Sequence, residues 1–199
     1  SLQVTLDTGT IITHPLIMNI FVTDRDPKIS AQSLPDKHVV KMPLETCQML
    51  SIVFSHWYFD WGDDLVKKID GTPYATQKGA FRNHPCTQWA GQSLENCAWL
   101  IQHGCALSTE YTHRYGKQHG CAEALWEAKK TFHRFSENVI VIWKQVESFT
   151  RAMPEQWKYD DTIDTITAYR LYVSSKPWAP TNYLRDPSRK PLWMNYLTS

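Results

Sequence analysis

Where apolar residues are dense in this chain, they recur mostly at helical rather than strand spacing. The clearest case is the stretch from residue 36 to about 56. Val39, Val40, Met42, Leu44, Cys47, Met49 and Leu50 supply the surface of a buried helix. His38, Lys41, Glu45 and Gln48 fall at i, i+3, i+7 and i+10, which sets them in a single polar stripe. Pro43 lacks an N–H, so either the helix bends there or Pro43 opens a second helix after a break.

Further helices follow from start and stop residues. Asp26-Pro27 pairs an N-cap with a proline suited to the first helical position, and predicts a short helix to about residue 33. Pro85 opens another, with Asn83 or His84 at its cap. Ser93 caps a long one carrying Leu94, Cys97, Ala98, Ile101, Cys105 and Leu107, which stops at Gly116. Residues 119–135 and 161–174 complete the helical set. Residues 19–23 alternate weakly and read as a strand or extended segment. Residues 57–82 read as a loop with one helical turn near 65–69, and residues 138–143 fit strand or buried helix equally. From Pro177 onward proline, aromatic and basic residues dominate, with too few aliphatics for a core element. The pattern predicts a mostly α, single compact helical domain over 18–199, with a short N-terminal extended segment and an irregular aromatic-basic C-terminal tail. Residues 1–17 read as an N-terminal extension, because Met18-Asn19-Ile20-Phe21 resembles a natural start.

Composition narrows the function classes. The chain has 199 residues, a length suited to one core, and a net charge of +1, so any nucleic-acid contact must come from a local patch. No apolar run approaches a membrane span. The 5 cysteines are odd in number and lie in helical stretches, which favours reduced thiols and a cytoplasmic setting. His113, His119 and Cys121 lie close together but lack the paired spacing of a zinc site, and no glycine-rich phosphate loop occurs; neither metal nor cofactor is expected.

Three groups of chemically capable residues remain. The stripe with His38, Lys41 and Glu45 is either a solvated face with an i,i+4 ion pair or a cleft-facing catalytic set, since desolvating such groups is costly unless they pair or face a cleft. Arg82, Asn83 and His84 crowd a predicted helix N-terminus, which suits either anion binding or ordinary capping. Arg114 and the tail residues Arg189, Lys190, Trp193 and Tyr196 interleave cations with rings, as nucleic-acid surfaces do.

Asp36-Lys37-His38, followed seven residues after the histidine by Glu45, resembles the first helix of the pyrimidine-dimer DNA glycosylases (endonuclease V of T-even phages). The later order is similar too: a loop with Gly79 and His84 opens a helix, and a basic, aromatic C-terminus follows. The Met-Asn-Ile-Phe start and Asp-Lys-His-Val-Val-Lys-Met also look like a family of small phage and bacterial proteins, which implies no activity. The glycosylase resemblance implies a glycosylase and/or abasic-site lyase of phage type, acting on damaged or modified bases in duplex DNA. Glu45 would then be the catalytic glutamate, with an amine as nucleophile. In that family the amine is an N-terminal threonine's; here Asn19 follows Met18, and Lys41 is the nearest amine to Glu45 by sequence. The alternatives are a catalytically inactive module binding nucleic acid or a host protein, and an enzyme acting on a free nucleotide-like ligand.

Overall fold

The computed structural model describes residues 2–5, 11–14, 18–75, 77–137 and 141–197, with 2–5, 11–14, 196 and 197 as backbone only. The described chain is mostly helical. Within the N-terminal extension, β1 (Leu2–Thr5) and β2 (Ile11–His14) form an antiparallel pair with Leu2 opposite His14 and Thr5 opposite Ile11. Residues 18–23 are buried and form no strand among the described residues, so of the two readings, strand or extended segment, the strand does not occur.

Helix α1 (Pro27–Gln32) starts where Asp26 accepts a hydrogen bond from the Lys28 N–H at 2.8 Å, with Pro27 in the first turn. Helix α2 (Asp36–Phe54) runs through Pro43 without interruption, so the alternative of a break does not occur. Pro43 leaves the Val39 carbonyl without its intrahelical donor, and burial of the surrounding apolar face offsets that loss. Helices α3 (Pro85–Gly91), α4 (Leu94–Tyr115) and α5 (Ala122–Phe135) follow. Ser93 Oγ accepts from Asn96 N–H at 3.1 Å to start α4, and Gly116 ends it in the left-handed conformation (φ 69°).

Helix α4 is the central packing partner of α1 and α2. Its Gly104 permits a close three-helix approach: a Cβ there would lie 2.6 Å from Thr46 Cγ2 of α2 and 2.9 Å from Leu125 Cδ2 of α5. Trp99, also on α4, is fully buried and donates its indole N–H to the Arg25 carbonyl at 2.9 Å, so its polar atom costs little to bury.

Three regions depart from the sequence reading. Residues 65–69 form no helical turn: Lys67 and Pro73 make an isolated antiparallel bridge, and the loop folds inward to bury Val66. Of 138–143, the first three residues lie outside the described chain, and Val141–Gln145 forms a 3₁₀ turn. The tail belongs to the core rather than lying on it. Beyond α6 (Glu155–Lys158) and α7 (Thr165–Ser175), the residues Ala179, Tyr183 and Met194 are buried, the last on α8 (Leu192–Leu197). Scattered apolar residues in short irregular turns carry no periodicity, yet each finds a place against the bundle.

A buried ionic network joins these layers. Asp36, at the start of α2, accepts from Arg114 Nη1 at 3.1 Å and from the Leu184 N–H at 2.8 Å. Arg114 also donates to Glu110 Oε1 at 3.0 Å and to the carbonyls of Leu34 and Gln32 at 2.7 and 2.9 Å. Arg189 completes it from the tail, 2.8 Å from Glu110 Oε1. Among the described residues, no helix is long and apolar enough to cross a membrane.

Candidate active site

Helix α2 carries Glu45 into the interior, where its side chain is 4% exposed. Two nitrogens approach its carboxylate. The main-chain N–H of Asn19 donates to Oε1 at 3.1 Å, and Lys41 Nζ lies 3.9 Å from Oε2, an ion-pair distance rather than a hydrogen bond. Oε2 has no hydrogen-bond partner. Burial pushes the Glu45 carboxyl up to about 7, against the opposing pull of Lys41 and the Asn19 N–H. At neutral pH this carboxyl is therefore divided between its acid and base forms.

The segment that brings Asn19 there is held by its own side chain. Asn19 Oδ1 accepts from the N–H groups of Ile20 and Phe21 at 2.8 and 2.9 Å, and Nδ2 donates to the Ala152 carbonyl at 2.7 Å. This local turn holds Phe21 at φ 35°, a conformation bulky residues rarely adopt. It also lays the Phe21 ring on the imidazole of His38, with centroids 4.1 Å apart and planes 14° from parallel.

His38 stands two helical turns before Glu45, about 10 Å along the axis, so the two do not form a dyad. The Trp178 ring meets His38 edge-on at 5.2 Å, and His38 Nδ1 has no hydrogen-bond partner. Burial, helped by the charges of Lys176 and Lys41, lowers His38 to about 3 and keeps the ring neutral. His38 therefore offers a neutral imidazole and a packing surface, not an imidazolium.

Lys176 is a functional candidate that sequence reasoning missed. Its Nζ lies 4.6 Å from the Tyr172 ring centroid and 5.8 Å from that of Phe21, and burial followed by the charge of Lys41 lowers its pKa. Lys37 Nζ stands 4.7 Å over Trp178. Lys37, Lys41 and Lys176, with Tyr172 and Trp178, thus surround the His38 side of the site with cations and rings. Nothing local marked Lys176 or Tyr172 as part of a site, because the ring that both meet there, that of Phe21, lies over a hundred residues away in sequence. Asn19 stood within a recognisable apolar start, but its bond to Glu45 is tertiary.

The other expected site residues lie elsewhere. Arg82 donates to the carbonyls of Lys78 and Gly79 at 3.0 and 2.9 Å and covers the Trp57 ring at 4.5 Å, while Asn83 beside it is exposed. His84 Nδ1 caps α3 by accepting from the Cys86 N–H at 3.1 Å, which is the capping role. Arg114 has a fully buried side chain (0% exposed) and holds the ionic network, so it offers no surface to DNA. Arg189 is tied to Glu110, Lys190 is half-buried beside it, and Trp193 packs against the core with Arg170 over its ring at 5.7 Å. The Tyr196 side chain lies outside the described part of the chain. Among the described residues, no group of three histidine, cysteine or acidic side chains converges to hold a metal ion.

Comparison with known families gives one match: the model for pyrimidine dimer DNA glycosylases covers residues 18–123, more than half the chain. The matched span begins at Met18 and contains Asn19, all of α2 and all of α4. No curated protein and no solved structure matches.

Proposed function

From the chain's membership of the pyrimidine dimer DNA glycosylase family, we propose that it excises damaged or modified bases from duplex DNA and cleaves at the resulting abasic site, with Glu45 as its catalytic carboxyl. The observation that carries this reading is the 3.1 Å hydrogen bond between the main-chain nitrogen of Asn19 and buried Glu45. A nitrogen at this position, once freed as an α-amine by cleavage after Met18, would sit directly on a carboxyl poised near 7. The amine attacks C1′ of the deoxyribose, and the bond to the base breaks as the base takes a proton. Glu45 in its acid form then assists opening of the sugar ring, and the resulting imine permits β-elimination. Lys37 and Lys176 would hold the backbone phosphates of a strand opened for access, and Trp178 and Tyr172 would offer ring faces to bases.

A second nucleophile is supported by its own distance. Lys41 Nζ is 3.9 Å from Glu45 Oε2 and needs no chain cleavage. Borohydride trapping on abasic and dimer-containing duplexes tests both. The expected result is a covalent adduct, abolished in a folded Glu45→Gln variant and placed by mass spectrometry on Asn19 of a chain beginning there, or on Lys41. No adduct from the full chain, from the chain beginning at Asn19, or on either duplex would overturn the enzymatic reading in favour of a binding module.

A further inference from the structure

A second cluster of reactive groups lies on the other flank of α2. Cys121 is the residue that leads into α5, a helix whose N-terminal end favours negative charge. Its sulfur accepts from the Tyr74 hydroxyl at 3.5 Å. The thiol of Cys47 on α2 is its hydrogen-bonding neighbour. His119 ties the cluster together: its Nδ1 accepts from the Cys121 N–H at 2.9 Å, and its Nε2 donates to the Val40 carbonyl on α2 at 2.8 Å. Cys121 is 6% exposed and forms part of the wall of an apolar groove of about 760 Å³, shared with Val40, Lys41, Leu44, Ile69 and Tyr74, which is the route by which a small reagent would approach it.

We propose that Cys121 is a peroxide-reactive thiolate and that Cys47 is its resolving thiol, so that oxidation closes a disulfide between α5 and α2. The arrangement divides one proton unequally between two sulfurs. The hydrogen bond from Cys47 lowers the Cys121 thiol, aided by His119 and Tyr74 and opposed by burial, while the same contact, burial and the Cys121 charge raise Cys47. The Cys121 sulfur attacks one oxygen of a hydroperoxide and the O–O bond breaks. The departing hydroxide or alkoxide takes a proton to leave as water or alcohol. Sulfur is oxidised by two electrons to a sulfenic acid and the peroxide is reduced. The Cys47 sulfur then attacks the Cys121 sulfur, and the S–O bond breaks. The released hydroxide takes the Cys47 proton, giving water and the disulfide.

Cysteine labelling of the full chain tests this without DNA and independently of the proposed activity. With iodoacetamide at about pH 6, Cys121 should be alkylated at least about tenfold faster than Cys105, a half-buried thiol that burial pushes up to about 11. Hydrogen peroxide should yield a Cys47–Cys121 linkage in the peptide map, reversible by dithiothreitol, with Cys86 and Cys97 left as thiols. In Cys47→Ala, dimedone should instead trap a sulfenic acid at Cys121. Should that variant fail to fold, the labelling rates and peptide map of the unaltered chain decide alone. Cys121 alkylation no faster than that of Cys105, or peroxide treatment that leaves Cys121 a thiol, would overturn the proposal.

Discussion

Glu45 shows how position along one helix separates residues that share a stripe. Lys41, His38 and Glu45 all belong to the polar face of α2, yet Lys41 has a side chain 58% exposed, whereas Glu45 is enclosed. Desolvation therefore dominates the Glu45 carboxyl, and the charge of Lys41 only moderates it. If the acid form of Glu45 drives ring opening, single-turnover cleavage of an abasic duplex should fall as pH rises through about 7. Removing the nearby positive charge in Lys41→Met should move that limb to higher pH, because the ionised carboxylate loses its stabilising partner. A limb that stays in place would show that a different group controls it. Complete loss of cleavage with a full loss of trapping would instead assign Lys41 as the nucleophile.

The elements are joined more tightly at the C-terminus than the composition of that stretch implies. Met194 is fully buried, and Arg189 reaches back to Glu110, which is already bonded to Arg114. Ending the chain after Asp186 removes both. Loss of a buried methionine alone forfeits about 2 kcal/mol of transfer free energy, and the exposed seat adds to that. Truncation should therefore lower the urea midpoint by an amount corresponding to at least about 3 kcal/mol. An unchanged midpoint would show that α8 is dispensable and leave the tail free for DNA. The expectation of a peripheral tail arose because turns rich in proline and aromatics have no periodic face, so burial there is invisible to any pattern. By contrast, α4 was legible at both ends and α1 at its start, since Asp26, Ser93 and Gly116 act on backbone groups within their own turn.

For the whole molecule, buried histidines set the response to acid. Burial depresses His38 to about 3 and His103 to about 4, both from an ordinary value of 6.5. Groups with depressed folded values contribute stability above pH 6.5 that is lost as pH falls, because only the unfolded chain readily takes their protons. Glu45 acts in the opposite sense: its raised value makes the folded chain take up a proton between about 7 and 4.5. The shifts of His84 (lowered) and His119 (raised) oppose one another. Between about pH 6 and 4.5 the unfolded chain therefore holds both histidine protons while the folded chain holds only that of Glu45, a net loss of about 1.4 kcal/mol per pH unit as pH falls. Glu45→Gln should about double that slope, as measured by urea unfolding across the window. Equal slopes in the two proteins would mean that Glu45 titrates at its ordinary value.

What the sequence determined by itself were features carried by residues near one another in the chain. These are the helical class, the caps, the stripe on α2, and the Asp36-to-Glu45 pattern that resembles the family later matched over residues 18–123. Helical period and backbone capping are short-range physics, and short stretches suffice to encode them. Tertiary structure alone decided which polar residues act together. Asp36 and Arg114, part of the quoted motif and of the expected DNA surface, became a buried structural pair. Asn19 was brought to Glu45, and Lys176 to the ring of Phe21. The physical reason is that a charge acquires its role from its desolvation and its partners, and both are set by chain segments from tens to more than a hundred residues away.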